Sequence, residues 1–268
     1  MPNHRPPRPY GQLIRSLRSA WKFESISGTP FWHEGTAADS SLKSSFRIGI
    51  WNICKGAGGR MFEHDYRCLA YQSDIVALQE ALLSPRSLRT FCEPGFEVVH
   101  AGSYVRNDQL RDGVVTASRS GFAAQKLRII CKHPEPVFKT PKIAFASWHP
   151  IQSSGTSLML VNLHATLVRG AKRAADEMQS LLDALPPHHG PAVLCGDFNT
   201  FTKFHFKTVS KVLENYGFEH VPIVNDPRKP TGNLDHAFLR GLRLDSSHIL
   251  TSVQSSDHFP LLISLSMP

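Results

Sequence analysis

From residue 46 onward, apolar and polar positions alternate in short runs, and each run breaks on a residue able to do chemistry. Phe46-Arg-Ile-Gly-Ile-Trp-Asn52 alternates as a half-buried strand and closes on a carboxamide. Asp74-Ile-Val-Ala-Leu-Gln-Glu80 is a buried strand that closes on an acid, and Gly113-Val-Val-Thr-Ala-Ser-Arg119 closes on a base. Phe96–Ala101 is a further strand, followed by a polar loop carrying Arg106 and Arg111. Lys142–Trp148 and Ser157–His164 predict neighbouring strands, with Ser153-Ser-Gly155 as the hairpin turn between them. Val193-Leu-Cys-Gly-Asp197 follows, then Leu234–Leu239 and Pro260–Leu265.

A period near 3.6 replaces the period of two in three places. Phe62, Tyr66 and Leu69 share one side of a helix predicted over 61–71. Ala171, Ala174, Ala175, Met178, Leu181, Leu182 and Leu185 recur within 168–185, which Pro186-Pro187 ends. Phe206, Val209, Val212, Leu213 and Tyr216 line a third helix over 204–216, with Lys203, Lys207 and Lys211 at four-residue steps on another face. Many short strands with about three helices predict an α+β architecture built on two stacked β layers.

Residues 1–45 stand apart from this pattern. Leu13, Ile14, Leu17 and Trp21 follow helical spacing with Arg15, Arg18 and Lys22 interleaved, and no acid occurs before Glu24. A short basic amphipathic helix of this kind most often docks on its parent domain; the alternatives are contact with nucleic acid and weak contact with a membrane through residues 10–22. Ser25 to Ser45, rich in Ser, Gly and Thr, is expected to be a linker. The organisation is therefore an arm and linker over 1–45 and a catalytic domain over 46–268.

Composition changes this picture only at the margins. A chain of 268 residues with 41% hydrophobic content can build a substantial core. No apolar run is long enough to cross a bilayer, and the start lacks a signal-like apolar stretch. Five cysteines without paired spacing (Cys54, Cys68, Cys92, Cys131, Cys195) fit reduced thiols in a cytoplasmic, monomeric protein. Thirty Lys plus Arg against 22 Asp plus Glu gives a net charge of +8, which favours a polyanionic partner, nucleic acid or an anionic membrane surface.

The chemistry-bearing residues are those at the strand exits. Asp197 and Asn199 stand two apart after an apolar run, so alternation past Gly196 would carry both out of the strand on one face. Acids with an amide suit a hard cation such as Mg²⁺ or Mn²⁺. A histidine beside a carboxylate suits proton transfer or charge stabilisation, and a basic residue with a second histidine suits a phosphate oxygen. Together they describe metal-assisted phosphoester hydrolysis.

The order of these pieces resembles the endonuclease/exonuclease/phosphatase superfamily. The matching stretches are Trp51-Asn52, Leu78-Gln79-Glu80, Gly113 to Arg119, Asn162-Leu163-His164, Gly196-Asp197-Phe198-Asn199, Leu234-Asp235-His236 and Ser256-Asp257-His258, spanning residues 46–265. Trp51-Asn-Ile53, Gly196 to Asn199, Arg240-Gly-Leu242 and Ser256-Asp-His258 look most like its small bacterial YafD-like branch. The resemblance implies a DNase I-like four-layer α/β sandwich, two packed and mostly antiparallel sheets flanked by helices.

It also implies roles. Glu80, helped by Asn52, holds the divalent metal, and Asp257 contributes to the metal or to positioning His258. Asp197 orients or deprotonates the attacking water, Asn199 positions water or phosphate, and His164 binds a phosphate oxygen. His258, held by Asp235, lies against the scissile phosphate; either Asp197 or His258 is the general base. Arg119, Arg111, Lys203 and Lys207 are expected to contact phosphate or substrate. Many members carry an acid or amide where this chain has Cys54, so one Mg²⁺ or Mn²⁺ is expected rather than two. The leading expectation is a nuclease on DNA or RNA. The alternatives are a phospholipid or sphingolipid phosphodiesterase or phosphoinositide phosphatase at a membrane, and a catalytically silent binding protein on the same fold.

Overall fold

A strand in which every position from Ile48 to Asn52 is buried cannot have one wet face; it must be covered on both sides. The computed structural model, which describes residues 23–56, 59–152, 154–223, 226, 228 and 234–268, shows how. One sheet contains β1 (Phe23–Glu24), β2 (Phe31–Gly35), β3 (Ser45–Asn52), β4 (Ile75–Gln79), β5 (Glu97–Arg106), β6 (Arg111–Ser118), β13 (Arg243–Ile249) and β14 (Leu261–Ser266). Its order is β1-β5-β6-β4-β3-β14-β13, with β2 also paired to β5. The other runs β11-β12-β10-β9-β8-β7, built from β7 (Lys126–Ile130), β8 (Ile143–Pro150), β9 (Ser157–His164), β10 (Ala192–Asp197), β11 (Glu219–His220) and β12 (Asp235–Arg240).

Both sheets are antiparallel except for β3/β4 and β9/β10. A parallel pair needs a long crossover, and helices supply it. Helix α1 (Gly59–Tyr71) joins β3 to β4, and α2 (Ala171–Ala184) joins β9 to β10. A third helix, α3 (Lys203–Asn215), follows β10 and is capped by the Thr202 side chain, which accepts from the His205 N–H at 3.1 Å.

The layers follow from the alternation. On β3, Ile48 and Ile50 face the other sheet, where Leu158, Leu160, Val193 and Cys195 meet them. Trp51 faces outward, into a cluster with Phe62, Tyr66 and Leu69 of α1. Met178 and Leu181 of α2 and Val209 and Leu213 of α3 cover the outer face of the second sheet, against Val161, Leu163 and Leu194. The result is helix, sheet, sheet, helices, the four-layer sandwich expected from the sequence.

Two expectations differ from the structure. The stretch expected to be a linker supplies β2, whose five residues pair with β5 from Phe31↔Ala101 to Gly35↔Glu97, and Leu42 is buried between the sheets. Backbone pairing to β5 and the packing of Phe31 on Phe145 and of Trp32 on His100 hold β2, a run of two aromatics too short to stand out among the surrounding Gly, Pro and Thr. The polar loop with Arg106 and Arg111 shrinks to the tip of the β5–β6 hairpin, and both arginines belong to strands. The predicted arm helix, including residues 10–22, lies outside the described residues. No described helix is long and apolar enough to cross a membrane.

Candidate active site

The inward stripes of five strands end in polar residues at the same edge. Ile48-Ile50 leads to Asn52, Ile75-Ala77 to Gln79, Leu158-Leu160 to Asn162 and His164, and Val193-Cys195 to Asp197, while β12 begins with Asp235 and continues inward as Ala237. Register aligns them: Asp197 is paired with His164 on one side and with Asp235 on the other. The site is thus the hydrophilic end of the inter-sheet core.

Contacts across the two sheets close it. Asn52 donates from Nδ2 to Asp197 Oδ2 at 3.0 Å, and His258 Nδ1 lies 2.7 Å from Asp235 Oδ2. His164 Nε2 lies 3.8 Å from both Glu80 Oε1 and Asp197 Oδ2. His258 is fixed through its backbone: its carbonyl accepts from Trp51 Nε1 at 2.9 Å and its N–H donates to Ser256 Oγ at 3.2 Å. Ser256 in turn donates to the Asn52 carbonyl at 2.7 Å. Glu80 sits at a sharp turn, φ 53°, where its carbonyl accepts from the Lys55 N–H at 3.1 Å. Its Oε2 lies 4.0 Å from Lys55 Nζ.

Deeper in the seam, Gln79 donates to Asn162 Oδ1 at 2.7 Å, and Asn162 Nδ2 donates to the Val115 carbonyl at 2.9 Å. This polar tie joins the sheets directly beneath the site.

Asn199 is placed by a turn rather than by continued alternation. Gly196 adopts φ 131° and packs against β9, β10 stops at Asp197, and Asn199 takes φ 51°. Its backbone N–H donates to Asp197 Oδ1 at 2.9 Å, and its Nδ2 donates to the Ala165 carbonyl at 2.8 Å. Asp197 and Asn199 are therefore coupled by a side-chain-to-backbone turn.

Burial and charge set the protonation states. Burial raises the Asp197 carboxyl, the Asp235 charge adds to that, and His258 and the bonds from Asn199 and Asn52 only partly offset it. For His258, burial pulls the imidazole down, but the Asp235 hydrogen bond and the charges of Asp235, Asp197 and Asp257 outweigh it and raise it to about 9. His164 goes the other way: burial, with the positive charges of Lys142, His258 and Lys55, holds it neutral. The centre therefore holds a cationic His258, a neutral His164 and a carboxyl, Asp197, that titrates above its usual range.

A titration follows. The His258 ring signals in proton NMR are expected to move with a midpoint near 9, and in Asp235→Asn to fall back toward the ordinary histidine value of about 6.5. A raised folded-state value means that the stabilisation is complete below the unfolded value and disappears as pH rises through the folded one. The raised His258, through Asp235, Asp197 and Asp257 together, should thus contribute on the order of 3 kcal/mol below about pH 6.5, lost by about pH 9. An unshifted midpoint in the wild-type protein would contradict the pairing.

Other expected residues fall elsewhere. Arg119 exits β6 at the opposite edge, because β6 runs antiparallel to β4; it packs over the Phe96 ring at 4.4 Å and donates to the Ser73 carbonyl, before β4 begins. Arg111 is at the correct edge but on the outer face, its guanidinium 4.0 Å over the Trp32 ring and donating to the Thr29 carbonyl. Neither reaches the cluster. Asp257 is exposed at the rim, Lys203 lines a neighbouring cavity, and Lys207 is exposed one turn along α3. Lys142, overlooked in the pattern as the first residue of a strand, precedes β8 opposite the end of β9, where its charge acts on His164 and Asp112. Asp112 faces inward on β6, paired with Tyr104, and burial raises it to about 6.

Asp197, Asp235 and His258 offer ligand atoms within 4.8 Å of one another. An imidazolium has no lone pair to give, so the trio reads better as a His258–Asp235 hydrogen-bonded pair beside Asp197 than as a cation cage. The hard-oxygen donor that fits a Mg²⁺-like ion is the half-buried Glu80 carboxylate, whose ion-pair neighbours stand 3.8 and 4.0 Å away; both Asp197 oxygens are taken by hydrogen bonds, and Asp235 keeps a buried Oδ1 without a hydrogen-bond partner.

Two stacked mixed sheets with acid, amide and imidazole groups at one edge define a phosphoester hydrolase of the DNase I-like fold. The chain belongs to the Endonuclease/Exonuclease/phosphatase family, whose profile matches residues 51–258. A UPF0294 protein of Vibrio vulnificus strain YJ016 is 29% identical over 243 residues, covering 88% of this chain and 82% of its own. Among solved structures, the mannosyl-6-phosphatase of Bacteroides thetaiotaomicron superposes with a TM-score of 0.62 at 18% identity, covering 83% of this chain and 100% of that one. The human Nocturnin catalytic domain with bound sulfate gives 0.61 at 18% identity, covering 94% and 99%.

Proposed function

We propose that the protein hydrolyses phosphodiester bonds of nucleic acid with a divalent cation. The observation that carries the reading is the meeting of His258, raised by Asp235, with Asp197 across the seam between the sheets. A group that stays protonated to about 9 is a poor base at neutral pH and a good partner for developing negative charge. Asp197 is the reverse: burial makes it a better proton acceptor than an ordinary carboxylate, so it takes the proton of the attacking water. His258 then faces the pentacoordinate phosphorus as a cation. Neutral His164 donates to a non-bridging oxygen. Glu80, with Asn52 beside it, would hold Mg²⁺ or Mn²⁺, which when bound offsets charge on the phosphate.

Lys55 and Lys142 flank the centre, and together with the net charge of +8 they favour a polyanion over a small neutral ester. The test is a panel of single- and double-stranded DNA, RNA, phospholipid vesicles and bis-p-nitrophenyl phosphate, with Mg²⁺, Mn²⁺ or EDTA. Cleavage of nucleic acid is expected with either metal, abolished by EDTA, and falling by tenfold or more between about 50 and 200 mM salt. Hydrolysis of phospholipid headgroups with every nucleic acid left intact would replace this reading.

A further inference from the structure

Beside the centre lies a cavity of ≈ 400 Å³ whose lining includes Thr200, Thr202, Lys203, Phe206, His220 and His236. Its inner wall is fastened to the site. Arg228, which lines it with its ion-pair partner Asp226, donates to the Asp235 carbonyl at 3.0 Å, while His236 turns to the other face of β12, where its Nε2 lies 3.1 Å from the Thr200 hydroxyl. The Phe206 ring stacks on His236 with centroids 4.5 Å apart and planes 30° apart, and meets His220 edge-on at 4.8 Å. Burial lowers His220 to about 4, with Arg228 adding to it, so this ring carries no charge at neutral pH. Lys203 is exposed. Phe201 and Phe204, which fall between lining residues in the sequence, are 39% and 70% exposed.

We propose that this cavity receives one unstacked base of a single-stranded nucleic acid, next to the phosphate being cut. The proposal rests on the nucleic-acid reading above and narrows it. The volume is within the range of small-ligand sites. Ring faces bind any base by stacking, while the threonine hydroxyls can meet its polar edge. Lys203 stands where the following phosphate would pass, and the exposed Phe201 and Phe204 offer a second platform for the adjoining base. A paired base cannot enter without being extruded, at a cost of a few kcal/mol. The cationic Lys203 and Arg228 in the lining suit a nucleotide with its phosphates and disfavour an uncharged acyl chain.

Binding of a short labelled oligonucleotide, followed by fluorescence anisotropy in EDTA so that nothing is cut, tests this directly. The single strand is expected to bind about tenfold more tightly than its duplex. Removing bases one at a time should reveal one position whose loss weakens binding by about 5- to 100-fold. In Phe206→Leu, with its melting temperature retained, that position should become silent. Should Phe206→Leu fail to fold, the surface change Phe204→Ala is expected to erase at least half of the single-strand preference. Equal affinity for single strand and duplex, a flat response to base removal, or displacement of the oligonucleotide by anionic phosphatidylserine vesicles would overturn the assignment. Cleavage with a flat base-removal profile sinks the cavity alone. Base-dependent binding without any cleavage sinks the hydrolytic reading and leaves the cavity standing.

Discussion

Asp197→Asn is expected to lower phosphodiester hydrolysis by about 10²–10⁴-fold while leaving the protein folded. Asparagine keeps the shape but has one carbonyl oxygen, so it can keep only one of the two bonds that now end on Asp197, from the Asn199 N–H to Oδ1 and from Asn52 Nδ2 to Oδ2. What it loses is the ability to take a proton. It also removes a charge whose ionisation burial opposes, which offsets the cost of the lost hydrogen bond. His258 loses one of the negative charges that raise it, but keeps its 2.7 Å contact with Asp235. Initial rates on bis-p-nitrophenyl phosphate, measured beside a thermal melt, separate the two effects. A variant retaining more than about a tenth of wild-type turnover would remove Asp197 from the role of base.

Gly196→Ala should instead destroy the fold around the site, at a cost of about 2–6 kcal/mol. A methyl on Gly196 would stand 2.0 Å from the Leu163 carbonyl oxygen, which belongs to the neighbouring strand and cannot swing aside. The backbone there has φ 131°, a conformation L-residues avoid. To make room, β10 would have to leave β9 one residue before Asp197. Urea denaturation should show a lower midpoint with loss of activity at temperatures where the remaining structure persists. An alanine variant with unchanged midpoint and activity would mean that the close approach of the two strands is not needed.

How far the chain could be read without coordinates depended on direction. Apolar periodicity located β3, β9, β10 and all three helices to within a few residues, and polar exits flagged Asn52, Glu80, His164, Asp197, Asp235 and His258, which the fold gathers at one edge. Periodicity says where a strand is but not which way it runs. Arg119 ends its strand just as Asn52 does, yet β6 is antiparallel to β4, so it emerges at the far edge. The converse failure hid Lys142, which precedes a strand antiparallel to β9 and so lies at the catalytic edge by beginning a run rather than ending one. Face matters as well. Arg111 and Asp112 are neighbours, but only the even-numbered residue looks into the seam, and a strand buried on both faces gives no hydropathy contrast to tell them apart.

The tie between Gln79 and Asn162 shows where variation is tolerable. Half of the reacting groups hang from one sheet and half from the other, so the aim of the chemistry is inherited from how the two slabs are pinned together, not from the loops around the rim. Retargeting such a protein to a new ester is then a matter of exchanging the turns around Phe201 and Phe204 while leaving the pinned interior alone. A small change at Gln79, out of reach of any substrate, would blunt the enzyme for every one of them equally.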